Sequence, residues 1–207
     1  MKIITISREF GSGGRELGKR LADTLNFDYY DREIITAIAG SQGLSEGYVS
    51  AALENHGWRN VPLTFRRSFS APSPQQSAHT GLLVEQRRII EAIARKGKDC
   101  VIVGRSADVL LKDRHPFNIF VCAAMEAKIR RCMERADPRE KLSPQEAERN
   151  IRRIDKNRSQ TREIITGSPW GHRSAYHLVV NTTDWNIREL TPAVAAFADC
   201  WFRRTTL

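Results

Sequence analysis

The chain has 207 residues, 41% of them hydrophobic and 28% charged, which is the composition of one ordinary globular domain and excludes a disordered, collagenous or coiled-coil chain. No apolar run approaches the ~20 residues that cross a bilayer, and MKIITISREF lacks the apolar core of a secretory signal, so a cytoplasmic protein without a membrane partner is expected. The formal charge is +9, and 25 of the 33 cations are arginine, whose planar fork suits bidentate recognition of phosphate, so phosphate-bearing partners are favoured.

In chain order, four short runs rich in β-branched residues read as strands buried on both faces: Lys2 to Ser7, Asp99 to Val103, Phe117 to Cys122 and His177 to Asn181. Helix-period segments lie between them, at Gly14 to Leu25, Arg32 to Ala39, Leu82 to Lys96, Ala124 to Arg135 and Pro144 to Arg162. A last helix begins near Asp184 or Thr191 and runs to Phe202. Strands separated by helices, without hairpin signals, predict βαβ crossovers and a parallel sheet, an α/β domain. The stretch His56 to Thr80 has three prolines and no sustained periodicity, and reads as a long loop, either a lid or a disordered insertion. Cys100, Cys122, Cys132 and Cys200 show no CxxC spacing, which argues against structural zinc or disulfides. On the last helix Trp185, Leu190, Val194, Phe197 and Trp201 form an apolar stripe that suits core packing or, alternatively, a homodimer face.

Three constellations carry chemistry. The first strand runs into Gly11-Ser12-Gly13-Gly14 and then a helix, an arrangement that aims backbone N–H groups and a helix dipole at one anion. A literal G-x-x-x-x-G-K string spans Gly13 to Lys19, but Arg20 comes next where a Walker motif needs Ser or Thr, and Lys19 falls more than a turn inside the helix. With the glycines aligned on the loop itself, Gly14 occupies the lysine position, Arg15 is the cation that stands in for it, and Ser12 offers a hydroxyl to Mg²⁺. The second strand ends in Val103-Gly104-Arg105, placing Arg105 at the carboxyl end of the sheet where α/β folds bind ligands. Asp108 reads equally as a ligand residue and as the cap of a short helix. Finally, Lys128 to Arg162 carries twelve cations and six acids, and Arg158 lies three residues after Asp155, so on a helix the carboxylate orients the guanidinium.

Taken together, ITISREFGSGGRELGKRLADTL, FDYYDREII, VIVGRSADVLL, FNIFVCAA with KIRRCMER, IRRIDKNRSQ and WGHRSAYHLVVNTT resemble the cytidylate kinase-like family of P-loop nucleoside monophosphate kinases. The resemblance spans nearly the whole chain. It implies a three-layer P-loop kinase fold in one domain, residues 1–207, with an acceptor region near 28–80 and an arginine-rich lid near 136–165. It also implies ATP and Mg²⁺ as cofactors and nucleotides as substrates, with CMP or dCMP as the first acceptor. Gly11, Ser12 and Gly13 then match the donor loop, with Gly14 and Arg15 counted beside them as ATP-binding residues. Arg105 matches the acceptor-phosphate arginine, Asp31 begins the acceptor-binding helix with Arg32 next to it, and Asp108 is counted with them as substrate-binding. Asp155 and Arg158 match a D-x-x-R lid element, so that Arg15, Asp155 and Arg158 become the catalytic set.

The chain departs from that pattern where the lysine and the hydroxyl after it should stand, at Gly14 and beyond, and where an acid should precede Gly104, at Val103. These departures keep a second reading open, a nucleotide-binding regulatory protein with little or no kinase activity. A third, an RNA-binding module on the arginine-rich helix, has no aromatic RNA motif behind it, and no specific nucleic acid is expected.

Overall fold

The computed structural model describes residues 1–49, 74–136, 142–167 and 169–205. Five parallel strands form the central sheet: β1 (Ile3–Arg8), β2 (Asp28–Tyr30), β3 (Cys100–Val103), β4 (Phe117–Cys122) and β5 (Leu178–Asn181), in the order β2-β3-β1-β4-β5. The helices are α1 (Gly14–Leu25), α2 (Arg32–Gln42), α3 (Pro74–Arg95), the short α4 (Ala107–Leu110), α5 (Met125–Arg135), α6 (Pro144–Thr166) and α7 (Ile187–Thr205).

Alternation along β1 and β3 divides the core between two layers of helices. Ile4, Ile6, Val101 and Val103 point to one face, where Leu17 and Leu21 of α1 and Val194 and Ala198 of α7 cover them. Ile3, Cys100 and Ile102 point to the other, against Ile34 and Ile38 of α2 and Ile90 of α3. Register is set by this alternation, with Ile4 opposite Val101 on one side and Phe117 on the other. A one-residue slip would turn both sets around. The three-layer α/β fold is thus set by central strands that are apolar on both faces; β5, expected to be buried on both faces too, lies at the sheet edge, where Val180 is buried and Val179 is exposed.

Gly18 belongs to this packing. A Cβ there would meet Val103 Cγ2 at 2.8 Å and Ile6 Cδ1 at 3.0 Å, so glycine lets α1 lie close on the sheet. Lys19 pairs with Asp23 on the outer face of the same helix, both half exposed. The literal G-K string is therefore helix packing next to a surface ion pair.

The structure adds a strand and lengthens four helices, α3 and α6 the most. β2 is three half-buried residues at the sheet edge, too short for a periodicity to show. The helix α3 begins at Pro74, inside the span expected to be a loop, because proline tolerates a first helical turn where its missing N–H has no partner to lose. The rest of that loop, residues 56–73, lies outside the described residues, as do 137–141 of the expected lid. The helix α6 continues to Thr166 and starts with a capping box, Ser143 and Glu146 bonding each other's backbone N–H. All four cysteines are free thiols. On α7, Val194 is buried and Leu190 and Trp201 pack on the core, whereas Phe197 stays about half exposed, as does Trp185, which precedes the helix. Among the described residues no helix is long and apolar enough to cross a membrane.

Candidate functional site

Two cavities meet at the carboxyl ends of β1 and β3. The larger, about 480 Å³, lies between the glycine loop and helices α5 and α6, and is lined by Gly11, Gly13, Gly14 and six arginines, Arg8, Arg15, Arg131, Arg135, Arg153 and Arg158. The smaller, about 70 Å³, is lined by Gly104, Arg105, Gln86 of α3, Arg158, Arg162 and Trp170. Arg8, Ile154 and Arg158 line both, forming the wall between them.

The glycine loop is held open by tight packing beneath it. Gly11 and Gly13 have φ of 77° and 80°, which side chains rarely adopt, and a Cβ on Gly13 would lie 2.7 Å from Ile187 Cδ1. Gly13 is also the N-cap of α1 and has no side chain to satisfy the first N–H groups of the helix, which lack intrahelical acceptors. Such N–H groups, together with the helix dipole, make an anion cradle, and the residues present fit the phosphates of a nucleotide.

Ser12 is placed differently from the expectation. It is fully buried, and its hydroxyl donates to the Glu9 carbonyl at 2.9 Å while its own carbonyl accepts from Thr182 Oγ1 at 2.6 Å. The hydroxyl is an internal tie of the loop, so the loop does not fit Mg²⁺ through Ser12. Among the described residues no group of three or more His, Cys, Asp or Glu gathers as a metal site.

The helix α6 docks on the loop through the two residues expected to act there. Asp155 Oδ1 accepts the Phe10 N–H at 2.7 Å, and Arg158 donates to the Arg8 carbonyl at 3.1 Å with its guanidinium over the Phe10 ring. Asp155 and Arg158 are 3.8 Å apart, the expected orienting pair. Burial pushes the Asp155 carboxyl above its ordinary range, opposed by the Phe10 N–H and by Lys128 and Arg158.

Lys128 is a buried tie that the sequence does not mark. Its ammonium lies between Glu9 Oε2 at 3.0 Å and Asp155 Oδ2 at 3.2 Å, so β1, α5 and α6 are joined under the loop. Glu9 also accepts the Ala123 N–H at 3.2 Å. In sequence Lys128 looks like one more cation on a solvated helix, and nothing there sets it apart from its charged neighbours.

Asp31 is buried and precedes α2, where it holds Arg15 Nε at 2.5 Å and lies 3.7 Å from Arg8. Arg15 is thus half exposed at the rim of the larger cavity, its Nε committed to Asp31. Arg32 is exposed and lines an outer groove with Arg15, Tyr29 and Asp31, away from the smaller cavity. Arg105 enters the smaller cavity as expected, on a backbone with φ of 60°. Asp108 does not: its carboxylate forms a buried ion pair with Arg162 of α6 at 2.5 Å, and Arg162 in turn lies over the Tyr176 ring. The pair fastens α6 to the short helix α4.

Arg8 is the functional candidate that sequence reading missed. It ends β1, is nine-tenths covered, and touches both cavities. Burial, with repulsion from Arg158, Arg105 and Arg15, lowers its pKa to about 9 against the attraction of Asp31, and it remains charged at neutral pH. The signal was available: a cation at the end of a buried strand, as at Arg105.

A family model described as the cytidylate kinase-like family matches residues 3–184. The chain belongs to the cytidylate kinase-like family. Among solved structures it is similar to an uncharacterized protein from Eubacterium ventriosum, with a TM-score of 0.70 and 23% identity over 96% of this chain and 99% of that one. Shikimate kinases from Bacteroides thetaiotaomicron (TM-score 0.57, 14% identity, 96% and 98% covered) and Acinetobacter baumannii (0.53, 13%, 95% and 92%) share the fold. No curated protein matches. The three-layer P-loop kinase fold is therefore shown, and membership of the family supports a kinase-like function.

Proposed function

We propose that the protein transfers the γ-phosphoryl group of ATP to a nucleoside monophosphate, with CMP or dCMP the first acceptor to try. The observation that carries this reading is the shared wall. A phosphate cradle and an arginine-lined acceptor cavity meet at Arg8 and Arg158, where a phosphoryl group passing from one to the other would lie. Phosphoryl transfer needs little covalent chemistry from the protein, because positioning and charge neutralisation do most of the catalysis.

In this reading Gly11, Gly13 and Gly14 hold the donor phosphates, with Arg15 at the rim. Arg105 takes the acceptor phosphate, and Arg158, oriented by Asp155, neutralises the moving group. Mg²⁺ would arrive with ATP as the counter-ion of its phosphates. Arg32 and Asp31 act at the outer edge of the acceptor region. The protein is expected to work in the cytoplasm.

The test is ADP formation from ATP and Mg²⁺ with each nucleoside monophosphate in turn. Turnover with one acceptor should fall about 10²-fold or more in Arg158→Ala. Silence across the panel from folded protein, or a variant within about threefold of wild type, would defeat the assignment. The inward Ser12 hydroxyl favours a second reading, nucleotide binding without turnover, which calorimetry would reveal as ATP affinity without product.

A further inference from the structure

Gly14 stands where an ordinary phosphate loop carries its lysine, and the fold leaves no space there for a side chain. A Cβ on Gly14 would lie 2.6 Å from Arg8 Cβ, 3.1 Å from Arg8 Cγ and 3.2 Å from Val121 Cβ. The stem of Arg8 fills the volume from which a side chain at position 14 would start. Past the stem, the guanidinium lies against Gly104, where any Cβ would collide with it, and comes within 3.7 Å of Asp31. One-tenth of the Arg8 side chain is exposed, against about half of Arg15. Arg8 also lines both cavities, whereas Arg15 lines the larger cavity and the outer groove.

We infer that Arg8, projecting from the end of β1 over Gly14, is the catalytic cation that contacts the transferring phosphoryl group in the place of the loop lysine. Arg15 then serves at the rim, sharing Asp31 with Arg8 and keeping that carboxylate at the end of β2. This inference rests on the kinase reading above and concerns which cation the reaction uses. In the transfer, the bond from the γ-phosphorus to the β,γ-bridging oxygen breaks and its electron pair leaves with ADP. A phosphate oxygen of the acceptor forms the new bond, giving a nucleoside diphosphate. Arg8 exchanges no proton and carries its positive charge throughout, so a guanidinium serves as well as an ammonium. The glycine at 14 and the arginine at 8 are two halves of one exchange: the cation has moved from the helix start to the strand end, and the helix start has lost its side chain to admit it.

The experiment compares wild type, Arg8→Ala, Arg15→Ala, Arg8→Gly and the double variant Arg8→Gly/Gly14→Lys. It measures ADP formation and ATP binding by calorimetry on proteins shown to be folded. Arg8→Ala should lose about 10²-fold or more in kcat, and Arg15→Ala no more than about tenfold. The double variant, with the Arg8 stem removed to make room for a lysine, should recover about tenfold or more over Arg8→Gly. Arg8→Ala within about threefold of wild type, Arg15→Ala falling as far as Arg8→Ala, or a folded double variant no better than Arg8→Gly would overturn the inference. If wild type turns over no acceptor, the kinase reading falls by itself. ATP binding then decides the role of Arg8: a tenfold or greater loss in Arg8→Ala supports it and unchanged affinity overturns it. Should the Arg8 variants fail to fold, a crystal structure of wild type with a non-hydrolysable ATP analogue decides. Arg8 within hydrogen-bond reach of a β- or γ-phosphate oxygen supports the inference, and Arg8 turned away from the phosphates overturns it.

Discussion

The two sides of the site are built by different physics. On the proposed donor side the cradle is backbone, a glycine loop and the start of α1 with arginines around it, and the side chains beneath it, Glu9, Lys128 and Asp155, tie the loop to α5 and α6. On the proposed acceptor side the cavity is lined by side chains, Arg105, Arg158 and Gln86 among them, and the element that carries Arg158 is fastened by the buried Asp108–Arg162 pair. A cradle of N–H groups needs its backbone fixed from below; a cluster of guanidinium groups needs its helix fixed from beyond. The difference teaches that the charged residues of this site sort into those that face the ligand and those that hold the ones that do.

That division breaks first, if it is wrong, at Asp108. Removing one partner of a buried pair leaves the other charged and desolvated, so Asp108→Ala should cost about 3–5 kcal/mol, a fall in Tm on the order of 10 °C. KM for the acceptor should change little in the fraction that stays folded. A raised KM with unchanged Tm would instead make Asp108 a ligand residue.

Asp155 tests the donor side. Asp155→Ala strands the Phe10 N–H and removes one of the two carboxylates around Lys128, an expected loss of about 2–3 kcal/mol by chemical denaturation. Because it also frees α6 from the loop, ATP affinity should drop with stability, which Asp108→Ala should not cause. Equal effects of the two variants on ATP binding would erase the distinction between the sides.

Those same contrasts explain how far the sequence could be read. Strands apolar on both faces and the strand-glycine-helix turn are local patterns, so β1, β3, β4, β5, α1 and the cradle were legible. Arg105 and Arg158 were legible because a cation at the end of a buried strand, or three residues from an acid on a helix, is costly unless it has an anion to meet. Arg8 carried the first of these signals as clearly, but it precedes the glycines, and a phosphate loop is ordinarily searched for its cation on the helix side. Lys128 and Asp108 could not be sorted in advance, since each owes its role to a partner on another element, 27 residues away for Lys128 and Asp155. Ser12 read as a metal ligand because its hydroxyl is the right group in the right loop; the Glu9 carbonyl three residues earlier claims it.

Smaller effects sharpen the donor side further. Gly18→Ala sets the higher helix propensity of alanine, worth up to ~1 kcal/mol, against a Cβ 2.8 Å from Val103 Cγ2 in a packed core, an overpacking cost of ~1–3 kcal/mol. A net loss of about 1–2 kcal/mol is expected, read as a lower midpoint in urea, with ATP affinity of the folded protein retained. A stabilised variant would show that α1 has room to move off the sheet.

The smallest effect is the most selective. Lys19→Ala removes an exposed pair with Asp23 one turn apart on α1, and such pairs contribute about 0.3–0.5 kcal/mol. Stability should therefore shift by no more than that, and both ATP affinity and turnover should match wild type. The literal G-x-x-x-x-G-K string assigns Lys19 the opposite fate, as the phosphate-binding cation whose loss abolishes binding. Since Gly18 is buried against β1 and β3 and Lys19 lies on the outward face, a lysine there points along the helix surface, away from the phosphate cradle proposed at the helix N-terminus. A collapse of ATP binding in Lys19→Ala would move the nucleotide to the outer groove beside Tyr29 and Arg32, and with it the entire division into donor and acceptor sides.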